Sequence, residues 1–379
     1  MPKMNSSQLR AQCAQLLLTK AASAARLTAF VGLDGFVDEI LHVVDKRESA
    51  EVYRRLPTIT RLAAQLAAAA GKSTNIELVN QMTKLGGNGP IMANALASFG
   101  IQVTYLGLLG YPSLNPVFAD FARRAEVHSI GNPGTTDALE FDDGKIMLGK
   151  HASLKEVTWE NIQARFGREP FAQKFGTADL AGFVNWTMLP YMSQVWEAVL
   201  REICPAMQGP RRTIFFDLAD PEKRTRADIL RALDLIGQFE QYFDVILGLN
   251  EKEAHEIGAV LGLPPRDAPD LSLEIAAQLK AGTLVVHPVS CALAVSRGKV
   301  DFVQGPFTAK PLITTGAGDH FNSGFCLGRL LGLDNQMSLL TGVTASGYYV
   351  RTGQSPSIAQ IAAFMQEPVK MQSAAAPPP

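Results

Sequence analysis

Long apolar runs are missing from this chain. No window approaches the ~20 apolar residues that span a bilayer, because the most alanine-rich stretch, residues 62–70, contains Gln65 and is followed by Gly71 and Lys72. An excess of one charge is missing too: 35 basic residues face 36 acidic ones, for a formal net charge of -1. That balance removes a global electrostatic case for nucleic acid or an anionic membrane as a partner and leaves room only for a local patch. Cysteine is scarce. The four residues Cys13, Cys204, Cys291 and Cys326 lie far apart without a CxxC pair, which speaks against a disulfide framework or a zinc knuckle and for a reducing cytoplasm.

Three common site signatures fail. Gly71-Lys72-Ser73-Thr74 looks like the end of GxxxxGK[ST], but Leu66 stands where that loop needs glycine, so Gly71 is expected to end a helix. The glycine groups at 86–89 and 316–318 carry Met92 and Phe321 at the third glycine position of GxGxxG, against a dinucleotide site. His255-Glu256 has no second histidine at zincin spacing, which leaves His255 as a solvated helix residue.

Core material is present in quantity, with 47% hydrophobic residues in 379, so disorder over most of the chain is excluded. Short apolar runs at 27–33, 102–109, 182–185, 213–217, 245–249 and 283–286 read as buried strands, each followed by a helix-like stretch. The alternation predicts an α/β fold with a mainly parallel sheet between helical layers. Two parts break the rhythm. Residues 47–84 read as a helical insertion. Residues 135–150 alternate with period 2 around Asp142-Asp143-Gly144 and predict a β-hairpin, which needs a further sheet or a partner chain to be stable.

The N-terminal residues 1–31 carry Lys3, Arg10, Lys20 and Arg26 and no acid, as transit peptides do. They lack the usual arginine and serine content, and an amphipathic helix packing Leu9, Cys13, Leu16 and Leu17 on the domain is the preferred reading. The segment after Pro368, ending in SAAAPPP, is expected to be disordered.

The most informative segment is TTGAGDHFNSG at 314–324, expected to follow a strand end at 311–313 and to open a helix. Gly316, Ala317 and Gly318 are small enough to let three backbone N–H groups converge at a helix N-terminus, where the dipole and unpaired donors favour an anion. Asp319 beside such a hole suits a base that takes a proton from an attacking hydroxyl. The competing reading is an ordinary glycine turn with an aspartate at the helix start.

TTGAGDHFNSGF resembles the DTTGAGDxFxxGF signature of the ribokinase/PfkB family of carbohydrate and nucleoside kinases. GGNGPIMANALASFG at 86–100 is similar to that family's GGxxxNxAxxxAxLG motif, Asn250 to Glu253 resembles its N-x-x-E motif, and the hairpin at 135–150 resembles its lid. Asp38 lies where a substrate-binding aspartate follows the first strand.

The resemblance implies a ribokinase-like three-layer α/β/α sandwich over residues 1–368, with a mainly parallel central sheet and a small β lid from about 34–44 and 133–152; the residues themselves add the helical insertion at 47–84 and a disordered tail at 369–379. It implies ATP-dependent phosphorylation of a hydroxymethyl group on a sugar-like acceptor, with Asp319 as the base and Gly316, Ala317 and Gly318 as the anion hole. Asn250 and Glu253 would hold Mg²⁺ through water, and Thr315, Ser290 and Gly353 would lie beside the nucleotide. Gly86, Gly87, Asn88 and Asp38 would bind the acceptor. Asp34 is a second candidate, and one of the two aspartates could merely cap the turn. No nucleic acid or membrane partner is implied, and a homodimer through the lid is an option.

Three departures qualify the resemblance. His287-Pro288-Val289-Ser290-Cys291-Ala292 replaces the family's T-L-G-x-x-G beside the nucleotide, which puts donor affinity and identity in question. Ile313 replaces an aspartate that in many members helps bind a monovalent cation, so little K⁺ activation is expected. Ile91 replaces the motif asparagine and Gly110-Tyr111 replaces Gly-Asp, which suggests an acceptor other than plain ribose or fructose, such as a substituted sugar or a nucleoside. A non-catalytic sugar or nucleotide sensor with the same fold is the alternative from another functional class.

Overall fold

The computed structural model describes residues 6–367, so the expected tail at 369–379 and the first residues of the N-terminal segment lie outside the described part. Its strands are β1 (Thr28–Gly32), β2 (Phe36–Arg47), β3 (Tyr53–Arg55), β4 (Leu78–Gly86), β5 (Gln102–Gly107), β6 (Glu126–Ser129), β7 (Gly134–Phe141), β8 (Gly144–Lys150), β9 (Leu180–Phe183), β10 (Arg212–Asp217), β11 (Phe243–Leu249), β12 (Thr283–Val286), β13 (Cys291–Ser296) and β14 (Lys299–Gln304). Nine of them form one sheet in the order β14-β13-β12-β11-β10-β9-β1-β5-β6. From β12 to β6 every pairing is parallel, while β13 and β14 close the edge antiparallel. All six expected strands lie in its parallel part.

Successive strand residues point to opposite faces, and the sequence uses this to build two cores. Phe30 and Phe216 point into a layer with Phe171, Phe175, Phe183, Trp196 and Phe239, while their neighbours Val31 and Phe215 point into the other layer with Phe321, Phe325 and Leu327. Strands buried on both faces explain why the runs read as continuously apolar. Each fully buried phenylalanine contributes about 1.5–3 kcal/mol of burial. The helix Ser6–Ala24 buries Leu9, Cys13 and Leu17 and half-buries Leu16 against the second layer, which agrees with the packed-helix reading of this segment.

The remaining five strands form a small sheet. β2 is its spine, with β7 parallel on one side and β4, then β3, antiparallel on the other; β8 pairs β7 in the expected hairpin. One face carries Leu41, Val43, Leu139 and Phe141 under Leu62. The expectation of a helical insertion at 47–84 is corrected here: only Ile59–Ala68 is helical, and β3 and β4 are lid strands. Most of β4 is exposed and its sequence, LVNQMTKLG, carries little apolar signal, so its strand identity comes from pairing with β2. No strand forms at 311–313 either. That segment is irregular, and the N–H of Leu312 donates to the carbonyl of Val350 at 2.7 Å. His255 is exposed on the helix Glu251–Val260, as expected.

Candidate active site

The helix Ala317–Leu330 starts from Gly316, whose φ of +95° is left-handed backbone suited to glycine. Of the three N–H groups expected to be free, that of Ala317 donates to the carbonyl of Thr314 at 3.1 Å and closes the turn. This corrects the three-donor hole: the N–H groups of Gly316 and Gly318 are those without a carbonyl partner among the described residues. Asp319 is the third residue of the helix and only 6% exposed. Burial first, then the nearby Asp34 and Glu253 charges, raise its carboxyl from the usual carboxylate range to about 8, against the hydrogen bond from Asn88. That bond runs from Asn88 Nδ2 to Asp319 Oδ1 at 3.1 Å.

This helix start is a wall between two cavities. The first, about 290 Å³, is bounded by Thr315, Gly316 and Asp319 on one side and by Asp38, Gly87, Asn88, Thr136 and Asn185 on the others, under Met147 and Gly149 of the lid. The second, about 380 Å³, is bounded by Thr314, Ala317 and Gly318 and by Asn250, His287, Pro288, Val289, Phe307, Val343 and Gly347. Asp319 thus borders one cavity and Gly318, whose N–H has no carbonyl partner among the described residues, the other.

The two candidate acceptor aspartates separate cleanly. Asp34 is fully buried and saturated by protein donors: Gly89 N–H at 2.9 Å and the Tyr105 hydroxyl at 3.2 Å on Oδ1, and Asn185 Nδ2 at 2.7 Å on Oδ2. Despite these bonds, burial raises its carboxyl to about 6. It frames the site and does not border the cavity. Asp38 does border it, in register with Lys84 on β4 and Thr136 on β7; burial raises its carboxyl, and the Lys84 and Lys145 charges oppose the rise. Gly86 is required because a side chain there would run into the Asp38 carboxylate. Asn185 escaped the sequence reading. Its left-handed φ of 60° turns it into the cavity at the end of β9, and its buried Oδ1 has no partner. An asparagine ending a parallel strand was the available signal.

Asn250 and Glu253 form a capping box: Asn250 Oδ1 accepts from Glu253 N–H at 2.9 Å, and Glu253 Oε2 accepts from Asn250 N–H at 2.8 Å. Glu253 Oε1 accepts from Asp220 N–H at 3.0 Å. Asp217, also missed, ends β10 in the same acidic neighbourhood. Burial and the Glu253 and Asp319 charges hold its carboxyl well above the usual range. The left-handed Ala219 and Asp220 follow it, at φ 57° and 55°. Such backbone strain clusters at functional sites. Burial raises the Glu253 carboxyl too, and its charge in turn raises Asp217 and Asp319; the hard oxygens of Asn250, Glu253 and Asp217 fit a Mg²⁺ held through water, although no group of three such side chains is close enough to ligate an ion directly among the described residues.

The remaining nucleotide candidates do not line the second cavity. Thr315 borders the acidic cavity, where its hydroxyl accepts from Lys145 of the lid at 3.3 Å. Ser290 contributes a carbonyl that holds Gly305 N–H at 2.8 Å, and its side chain lies off the cavity wall. Gly353 caps the helix Asn335–Thr352 at φ 70° and borders a separate cavity beside His320 and Tyr349. His287 borders the second cavity and packs on Phe321 with ring centroids 4.7 Å apart, and burial lowers its imidazole to about 4. Of the basic residues at the hairpin, Lys145 points inward, His151 borders the first cavity, and Lys150 turns away to Asp137 at 2.9 Å.

Comparison with known proteins places this geometry. A family model described as prokaryotic ketohexokinase matches residues 10–368. The chain is 29% identical over 335 residues to a ketohexokinase of Haloferax volcanii, covering 88% of this chain and 89% of the relative. Among solved structures, a carbohydrate kinase from Agrobacterium tumefaciens superposes with a TM-score of 0.61 at 20% identity, over 89% of this chain and 97% of that one. Arabidopsis thaliana ribokinase, solved with ribose and ATP, gives 0.59 at 15% over 90% and 98%, and Escherichia coli phosphofructokinase-2, solved with substrates and products, gives 0.61 at 15% over 90% and 99%. The two-sheet architecture is therefore the ribokinase fold, and the chain belongs to the prokaryotic ketohexokinase family of carbohydrate kinases.

Proposed function

We propose that this protein transfers the γ-phosphoryl group of ATP to a hydroxymethyl group of a ketohexose, with Asp319 as general base. The carrying observation is the shared wall. Asp319 borders the cavity lined by Asp38, Asn88 and Asn185, which this reading assigns to the sugar, and Gly318 borders the larger cavity of about 380 Å³, which it assigns to the nucleotide. The expectation of an acceptor other than plain ribose or fructose gives way to a ketohexose on the strength of the family and of the Haloferax volcanii relative's name.

In this reading the acceptor's hydroxyls meet Asp38, Asn88 and the unpartnered Asn185 Oδ1. Asn88 also orients the Asp319 carboxyl through its 3.1 Å bond. Asp319 takes the hydroxyl proton as the oxygen bonds to the γ-phosphorus and the bond to the ADP oxygen breaks. The N–H groups of Gly316 and Gly318, with Lys145 reaching over from the lid, meet the charge on the phosphoryl oxygens. A Mg²⁺ held through water by Asn250, Glu253 and Asp217 would neutralise nucleotide phosphate charge. Lid strands β7 and β8 cover the first cavity and exclude water, which would otherwise compete as acceptor.

The test is coupled ADP release with Mg·ATP across ketohexoses, aldohexoses, ribose, sugar phosphates and nucleosides. Acceptor-dependent release confined to ketohexoses supports the reading, and release with nucleosides alone overturns the acceptor assignment.

A further inference from the structure

Behind the turn that opens the Ala317–Leu330 helix lies an arrangement the phosphoryl-transfer reading does not use. His320 is 1% exposed, and both of its ring nitrogens have partners. Nδ1 lies 2.7 Å from the carbonyl oxygen of Gly316, and Nε2 lies 2.8 Å from the hydroxyl of Ser355. The ring stacks on Tyr349 with centroids 3.7 Å apart and planes 12° apart. The Tyr349 hydroxyl in turn donates to the carbonyl of Thr315 at 2.9 Å. Two successive carbonyls of the turn are thus gripped from one side.

In a trans peptide the carbonyl and the following N–H point in opposite directions. Gripping the Thr315 carbonyl therefore aims the Gly316 N–H the other way, toward the first cavity. Gripping the Gly316 carbonyl holds the Ala317 N–H against Thr314 and so sets where Gly318 presents its own. The Gly316 carbonyl also accepts the helical N–H of His320 at 3.1 Å, so the ring is its second donor, and the ring borders a cavity of about 390 Å³ shared with Lys84, Asn94 and Gly353.

We infer that His320 is a positioning residue for phosphoryl transfer: as the neutral Nδ1–H tautomer it clamps the Gly316 carbonyl to Ser355 and, with Tyr349, holds the N–H groups of Gly316 and Gly318 in their productive directions. The tautomer follows from the partners. A carbonyl only accepts, so Nδ1 carries the proton and Nε2 accepts from the Ser355 hydroxyl. Burial, which lowers this imidazole to about 4, keeps the ring neutral in the working range. The inference rests on the kinase reading for its catalytic consequence but not for its geometry.

The experiment has two arms on the full chain. In ¹⁵N-histidine NMR of the resting protein, His320 shows a protonated Nδ1 and an unprotonated Nε2; an Nε2–H tautomer overturns the clamp without reference to any activity. In kinetics, His320→Ala lowers kcat ~10- to 100-fold, a part of the ~10²–10³ that loss of a whole oxyanion donor brings, while acceptor KM stays within about 2-fold. His320→Asn, whose side-chain amide can take the Nδ1 position, recovers most of the loss. An Ala variant within about 2-fold of wild-type kcat, or equal losses in Asn and Ala, overturns the positioning role. Failure of the kinase reading shows differently, as wild-type silence with every ketohexose.

Discussion

Asn88 Nδ2 donates to Asp319 Oδ1 across 231 residues of sequence, at 3.1 Å. The contact ties the glycine motif at the end of β4 to the helix that opens at Gly316, at a buried carboxyl that borders the first cavity. Because burial raises that carboxyl to about 8, most of it is protonated at neutral pH, and a base must be deprotonated to act. The acceptor kcat/KM is therefore expected to rise with pH and to level off near pH 8, falling about tenfold per pH unit below that. A profile flat from about pH 6 to 9 would remove Asp319 as the titrating base.

The same raised carboxyl has a cost for folding. Its folded pKa lies above the unfolded one near 4, so the folded state holds the extra proton and this group's contribution to stability declines as pH rises between those values. Asp34, raised to about 6, adds to the lower part of that slope. Thermal melts are expected to show a lower Tm at pH 8.5 than at pH 6, with Asp319→Asn flattening the decline. An Asn variant that melts lower than wild type at pH 8.5 contradicts this.

The two aspartates after β1 are expected to behave differently on substitution. Asp34→Ala leaves Gly89 N–H and Asn185 Nδ2 without their acceptor inside the core, while the Tyr105 hydroxyl keeps its 2.7 Å bond to the backbone carbonyl of residue 34, and about 2–5 kcal/mol of stability should be lost. On the proposed reading, Asp38→Asn is expected to keep the fold, because the side chain borders the cavity, with Lys84, Lys145 and Thr136 as its partners, and to raise acceptor KM by ~10-fold or more. Urea melts and acceptor kinetics on the two variants separate the frame residue from the proposed ligand residue; an Asp38→Asn variant with unchanged acceptor KM contradicts that assignment.

This distinction shows where sequence reading stops. Short apolar strands and the TTGAGDHF helix start were legible because their signals are local: alternation, a glycine at positive φ, an acid three residues into a helix. Strand β4 was not, because its exposed sequence has meaning only opposite β2, where Lys84 meets Asp38. Nor were Asn185 and Asp217, single polar residues at strand ends whose importance comes from strands that neighbour them only in the folded sheet. Ser290 and Gly353, expected beside the nucleotide, do not line the second cavity, where the neighbours Val289 and Cys291 do.

Lys145 offers a separate check on the lid. Its ammonium lies 3.3 Å from Thr315 Oγ1 and is paired with Glu140 at 3.2 Å, so Lys145→Met should reduce kcat ~10- to 100-fold with Tm unchanged within about 2 °C, because partly exposed ion pairs contribute little stability. Unchanged turnover in this variant would place the lysine outside phosphoryl transfer.

The proposed role of Asp319 as base is tested most directly by single-turnover phosphoryl transfer by Asp319→Asn beside wild type, with Mg·ATP and ketohexose binding measured on both. Binding within a few-fold of wild type and a transfer rate lower by ~10²–10⁴ are expected. A variant that binds both ligands and transfers at near the wild-type rate would contradict that role.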